Sequence, residues 1–280
     1  MKKYPKKRVT EALKISRSNL YQNPKPQPQN YQRMDDGEAL VEIKEVAKDR
    51  ATYGYRRTTA LLNQKRERNG FSRRNKKKVY RLMRTHGLLF TRPKKSIIGA
   101  HRGQVITLQS DMRYCSDIFG INCWNGERVE VAFSLDCHDR EVISFVAWKR
   151  PLVHEDIMTL MDQTVIKRFG EERQRLPHPI QWLSDNGPQY TAYETKDYGQ
   201  RWGFIVCTTP AYSPESNGMA EALVNTFKRD YVYTHELPDG DTVLKMLPEW
   251  FGDYNGVAPH SGLGMKSPWE YRKTLTKVSV

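Results

Sequence analysis

The sequence predicts an α/β core, a mixed sheet with flanking helices, behind a small all-helical domain, and three observations predict it. Residues 1–110 carry 28 Lys and Arg against 8 Asp and Glu, a balance of +20, whereas residues 111–280 carry 18 against 24, a balance of −6. Helical periodicity fills the basic part to about residue 89, and short apolar runs bounded by turn residues begin at Arg113. Asp185 ends one such run, Pro179 to Leu183, and chemistry in an open α/β sheet gathers at the carboxyl ends of strands.

At 280 residues the chain is long enough for one domain with a substantial core and a smaller one. It shows no apolar run of membrane-spanning length and no hydrophobic leader at MKKYPKKRVTEAL, so a cytoplasmic, nucleoid-associated protein with no membrane partner is expected. Cys115, Cys123, Cys137 and Cys207 have no close pair, which excludes a disulfide scaffold and a zinc knuckle from the expectations.

In chain order, residues 1–33 form a basic segment. Thr10 to Tyr21 has the pattern of a partial helix-turn-helix, and Pro24, Pro26 and Pro28 make a linker. Residues 34–90 hold three helices: Glu38 to Arg50 with Leu40, Ile43 and Ala47 at core spacing, Tyr55 to Gln64, and Asn75 to His86. Gly54 and Gly70 separate them and Gly87 stops the last. In the third, Val79, Leu82 and Met83 turn inward. Arg73, Arg74, Lys76, Lys77, Lys78, Arg81 and Arg84 are left for phosphates or a major groove, and are candidate DNA contacts of a helix-turn-helix domain.

A second basic linker, residues 91–110, leads to the core, residues 111–235. Arg113 to Ile121, Arg128 to Leu135 and Glu141 to Trp148 read as an antiparallel meander with a hairpin at Trp124-Asn125-Gly126-Glu127. Asp136 and Asp139, at the second bend, are assigned as turn residues. Glu155 to Phe169 is an amphipathic helix with Ile157, Leu160, Met161, Thr164, Val165 and Ile166 toward the sheet, and Asp156 and Asp162 on the surface. A strand before Asp185, a helix from Tyr193 to Trp202 and a strand through Ile205 to Thr208 follow. In the C-terminal extension, residues 236–280, a helix spans Asp241 to Tyr254, with a kink expected at Pro248.

Three acids stand out. Asp117 is mid-strand, where a carboxylate is disfavoured unless something compensates its charge. Asp185 precedes the turn Asn186-Gly187-Pro188. Glu221 lies 36 positions later, in the first turn of a helix introduced by Ser213, Pro214, Ser216, Asn217 and Gly218. At about 100° per residue, Glu221, Asn225 and Lys228 share one stripe beside an apolar face of Ala220, Leu223, Val224, Phe227 and Tyr231. Three carboxylates with open positions suit Mg²⁺, which keeps waters and prefers oxygen.

These residues carry a family resemblance. YGYRRTTALLNQ, KKVYRLMRTHGL, RYCSDIF, LDCHDRE, WLSDNG, SPESNGMAEALVNTFKRDYV and DYNGVAPHSGLGMKSPWEY together resemble the OrfB-type transposases of bacterial copy-out, paste-in insertion sequences, in the retroviral-integrase-like DDE superfamily. The tail departs from that pattern, with Ala258 where Arg is usual before Pro259-His260.

The resemblance implies a ribonuclease H-like core in which Asp117, Asp185 and Glu221 are both catalytic and metal-binding. Two Mg²⁺ ions serve it, Mn²⁺ substituting, and Lys228 grips terminal DNA. It implies 3′-end cleavage and strand transfer on double-stranded DNA, both at the element's terminal repeats and at the target. It implies a homo-oligomer on paired ends, and an upstream OrfA product or fusion as a possible partner. Two other functions fit parts of the chain. A ribonuclease H-like nuclease shares the acids but does not need the basic helical domain, and a catalytically silent DNA-binding regulator does not need the acids.

Overall fold

The computed structural model describes residues 6–14, 35–90, 107–209 and 217–276. The two linkers fall largely, and Ser213, Pro214 and Ser216 wholly, outside the described residues, as does the partial helix-turn-helix beyond Lys14. A first helix α1 (Lys6–Leu13) precedes a three-helix unit of α2 (Asp36–Asp49), α3 (Tyr55–Arg68) and α4 (Lys76–Thr85). Ala39, Ile43, Leu62, Val79, Leu82 and Met83 form its core; Ile43, Val79, Leu82 and Met83 are as expected of the stripes, whereas Leu40 and Ala47 are only half-buried. Asn75 caps α4 by accepting from the Lys77 N–H at 2.8 Å, and Gly87 follows with φ of +66°, a conformation glycine adopts without strain.

The core is a five-stranded sheet in the order β3-β2-β1-β4-β5. The meander consists of β1 (Arg113–Asn122), β2 (Arg128–Asp136) and β3 (Val142–Trp148), all antiparallel. After α5 (His154–Phe169) the chain crosses over to β4 (Ile180–Ser184), parallel to β1. The short α6 (Pro188–Thr191) and α7 (Tyr193–Trp202) then lead to β5 (Phe204–Thr208), parallel to β4. On one face Tyr114, Trp182 and Phe204 of the strands pack against Ile157, Leu160 and Met161 of α5, with α7 alongside. On the other, Cys115, Phe119 and Ile121 of β1 pack against α8 (Gly218–Asp230) and α9 (Gly240–Gly256). The last helix, α10 (Pro268–Thr276), follows.

Several expectations need correction. Asp136 and Asp139 do accept from turn N–H groups, but both are fully buried and share Arg168 with Asp111 and Glu141. A short turn tied to a long helix by a buried guanidinium is more than a local turn. Asp156 is buried, paired with Arg150 at 2.7 Å, and Asp162 accepts from Tyr198 and Trp202. Periodicity puts both on the surface because it cannot see partners on other elements. Ile166, placed toward the sheet, is exposed. Helix α9 runs through Pro248 as one element, with Val243, Leu247, Trp250 and Phe251 buried. Burial at about 1.5–3 kcal/mol per large side chain outweighs the roughly 3 kcal/mol an internal proline costs.

Candidate active site

The parallel pairing of β1 with β4 is what brings two of the acids together. Cys115 is the Cα partner of Leu183, and continuing that register by two residues sets Asp117 beside Asp185, one position past the end of β4. Neighbouring strands lie about 4.8 Å apart, and the charge of Asp185 bears on Asp117 at the sheet face to which Asp117 points. That face is settled by packing. Asp117 alternates with Cys115 and Phe119, whose cluster includes Ala220, Leu223 and Phe227 of α8, and the Phe119 and Phe227 rings are 5.6 Å apart. Glu221, exposed in the first turn of α8, therefore belongs to the helix laid across the two strand acids.

The loops are pinned around this arrangement. Thr209 N–H donates to the Ser184 carbonyl at 3.0 Å, and the Asn186 side chain donates to the Thr209 carbonyl at 2.9 Å, which fixes the turn after Asp185. Buried Tyr190, on α6 just beyond that turn, shares a 2.7 Å hydrogen bond with the Ser116 hydroxyl. Asn217, expected among the helix-opening residues, caps no α8 N–H with its side chain; its amide donates instead to the Ser116 carbonyl at 3.1 Å. Ser116, the residue before Asp117, thus holds the segments that carry the other two acids. Sequence reasoning misses this role for Ser116, Tyr190 and Asn217. An Asn before a helix reads as a cap, and Tyr190 carries no signal but an aromatic after a Pro turn.

The electrostatics fit a cation. Burial pushes the Asp117 carboxyl up to about 6, and the charges of Asp185 and Glu221 add to this against the hydrogen bond from the Ile118 N–H. Among the described residues no three His, Cys, Asp or Glu side chains form a ready-made metal cage. Asp117 instead accepts from Ile118 N–H at 2.8 Å and Asp185 from Gly187 N–H at 3.1 Å, bonds that a carboxylate can exchange or share. The donor set is oxygen only and Lys228 is the cation whose charge bears on Asp117, so Mg²⁺ or Mn²⁺ is the group it suits.

The expected DNA-contact residues divide into two groups. Lys76, Lys77 and Arg84 are exposed on α4, and Arg73, also exposed, pairs loosely with Glu67 at 3.1 Å. Arg74, Lys78 and Arg81 turn back on to α2. Arg74, with 9% of its side chain exposed, reaches Asp35, Glu38 and Glu42; Lys78 reaches Asp35 and Asp36; Arg81 reaches Asp36. The acids opening α2 draw these three cations inward, which helical spacing within α4 alone does not reveal. Lys228 is half-buried on α8 with its ammonium 5.7 Å from the centroid of the Phe119 ring.

A meander joined to parallel strands, with acids on β1, beyond β4 and on the covering helix, defines a ribonuclease H-like core of the kind used for phosphoryl transfer on nucleic acids. Family comparison agrees: an integrase core domain matches residues 108–214, a second integrase core description residues 206–268, and an HTH-like domain residues 34–96. The chain belongs to the OrfB-type DDE transposases of bacterial insertion sequences, and it is a DNA transposase. It is 40% identical to the Escherichia coli transposase InsD for insertion element IS2 over 274 residues, covering 94% of this chain and 89% of that one. Among solved structures it is similar to a chain of the simian T-cell lymphotropic virus intasome, at 17% identity and TM-score 0.47 over 82% of this chain and 73% of that one. The catalytic domain of Mos1 mariner transposase is similar at 19% identity and TM-score 0.45, over 60% of this chain and 76% of that one.

Proposed function

We propose that Asp117, Asp185 and Glu221 are the catalytic acids of 3′-end cleavage and strand transfer at the ends of an insertion sequence. The observation that carries this is the β1–β4 register, which sets Asp117 beside Asp185 under the helix that bears Glu221. In the first step water attacks a phosphodiester, the bond to the 3′ oxygen breaks, and a 3′-hydroxyl is released. In the second, that hydroxyl loses its proton and attacks phosphorus in another strand, displacing that strand's 3′ oxygen.

Two Mg²⁺ ions, with Mn²⁺ able to replace them, would supply Lewis-acid activation of the attacking oxygen and charge neutralisation at the leaving one. Asp117, the central and most buried acid, is assigned to both ions, and Asp185 and Glu221 to one each. Lys228 holds a phosphate of the terminal DNA next to the acids. Lys76, Lys77, Arg84 and Arg73 present cations to the duplex from the helical domain. The protein acts as a homo-oligomer on paired ends, with an upstream OrfA segment as partner or fusion.

Strand joining on labelled duplexes carrying the element's terminal repeats tests this, with Mg²⁺ or Mn²⁺ and with Glu221→Gln as comparison. Joining that requires metal and disappears in the variant is expected. Joining that survives Glu221→Gln would overturn the assignment.

A further inference from the structure

Strand β1 outruns its parallel neighbour. β4 pairs only with Arg113 to Cys115, so among the described residues the far half of β1 has no strand on that side. A cleft of about 470 Å³ opens there, bounded by Gly120 to Asn122 of β1, Trp124 of the hairpin tip, Lys228 of α8, and Tyr233 and His235 beyond α8. That volume lies within the ~300–1,000 Å³ range of small-molecule clefts and is too confined for a duplex.

Its walls are unusual for a surface. Trp124 is 68% exposed and Tyr233 75%, two large aromatics left in water where burial would otherwise be worth several times thermal energy. The hairpin tip is tied to the segment after Tyr233: the Trp124 backbone N–H donates to the Leu237 carbonyl at 2.8 Å and the Asn125 backbone N–H to the Pro238 carbonyl at 3.2 Å. Lys228 makes no ion pair among the described residues. Burial and the positive charge of Arg128 destabilise its ammonium, while Asp117 favours it, which places it between the cleft and the acids. The Arg128 guanidinium, paired with Glu130 at 3.4 Å, lies over the Gly120 backbone, where a Cβ would come within 2.5 Å of it, so glycine at 120 leaves room for that pair beside the cleft.

We propose that this cleft takes an unpaired nucleotide of the DNA end, its base stacked on Trp124 and Tyr233 and its phosphate on Lys228. An apolar peptide would leave Lys228 without an anion, whereas a nucleotide brings an aromatic face and a negative charge together. Bases in a duplex are stacked on one another and offer no free face, so the ligand is single-stranded. A base drawn out here, three positions along β1 from Asp117, frays the terminal pairs beside the acids. The proposal rests on the assignment of those acids for its place in the reaction, but not for its test.

Binding of a fluorescein-labelled 12-nucleotide thymidine oligonucleotide and of a blunt mixed-sequence duplex is compared by anisotropy, without divalent metal, for the full chain. Wild type binds both, and Trp124→Ala/Tyr233→Ala weakens the single strand about tenfold or more while duplex affinity stays within roughly twofold. Trp124→Phe, which keeps a stacking face, recovers most of the loss. Equal losses on both DNAs, unchanged single-strand affinity in the double variant, or no single-strand binding by wild type would each overturn the proposal. Failure of the three-acid assignment is a different result, joining retained by Glu221→Gln, and leaves these affinities untouched.

Discussion

The side-chain amide of Asn217 donates to the backbone carbonyl of Ser116 at 3.1 Å, joining the start of the helix that carries Glu221 to the residue before Asp117. Asn217 is buried and Ser116 completely so. At this end helix α8 is otherwise fixed by its apolar face, which sets its distance from the sheet but resists sliding along it less well. Asn217→Ala is therefore expected to slow strand joining about tenfold or more, since small displacements of a catalytic group are costly, with DNA-end affinity unchanged. Tyr190→Phe, which removes the 2.7 Å bond to the Ser116 hydroxyl, should slow it in the same way. Single-turnover joining rates and anisotropy on the same duplex separate the two effects.

The opposite end of α8 is tied to the helical domain. Asp230, with a fully buried side chain, accepts from Arg57 Nη1 at 2.6 Å, Thr52 at 2.6 Å and Arg229 Nε at 2.7 Å. Burial works against its charge, yet Arg229, Arg57 and Thr52 together hold the carboxyl below its ordinary value. That stabilisation is present above the unfolded pKa near 3.8 and is lost as pH falls through the folded one. Asp230→Asn leaves the two guanidiniums without their anion and should destabilise the fold by about 3 kcal/mol, read from urea unfolding. Glu45→Gln breaks an exposed, solvent-screened pair with Lys65 and should leave the urea midpoint nearly unchanged.

The cations of α4 should separate by function. Alanine at Lys76, Lys77 and Arg84 removes exposed charge and is expected to weaken duplex binding and flatten its salt dependence, by about 0.9 in log–log slope for each phosphate no longer neutralised. Arg74→Ala removes a guanidinium from among Asp35, Glu38 and Glu42. It should lower the urea midpoint by the equivalent of about 1–3 kcal/mol and leave the salt slope unchanged. Titrations at several salt concentrations, beside unfolding curves, distinguish the two classes.

These cases show how far the sequence is legible. Period-two and period-3.6 patterns locate the five strands and the longer helices of the core but not the one-turn α6, because Val131, Phe133, Leu160 and Phe227 are buried in regular elements long enough to show a period. Asp117 stands out for a different reason: it breaks the pattern of its own strand, and such a break asks for a compensating partner. Arg74 and Asp136 are not legible, since their partners lie on α2 and α5 and only the tertiary fold brings them near. The cleft is hidden likewise. Trp124 reads as a hairpin residue and Tyr233 carries no signal of its own, until the fold puts both on the walls of one cleft.

His260, in the C-terminal extension, supplies a test that does not involve DNA. Its ring meets Tyr254 edge-on at 4.7 Å between centroids, and its Nε2 is buried without a partner. Burial, reinforced by the charges of Arg57 and Arg140, pushes it down to about 4 from an ordinary 6.5. The unfolded chain therefore takes up a proton that the fold refuses as pH falls from 6.5 toward 4, and stability is lost over that window. Above pH 6.5 both states are neutral and the residue has no effect. By pH 5 the expected loss from this group is about 2 kcal/mol relative to pH 7.5. Urea midpoints of wild type and His260→Gln at the two pH values isolate it, since other groups cancel in the comparison. The variant should lose less stability than wild type on acidification, and equal losses would mean that the ring is solvated enough to titrate normally.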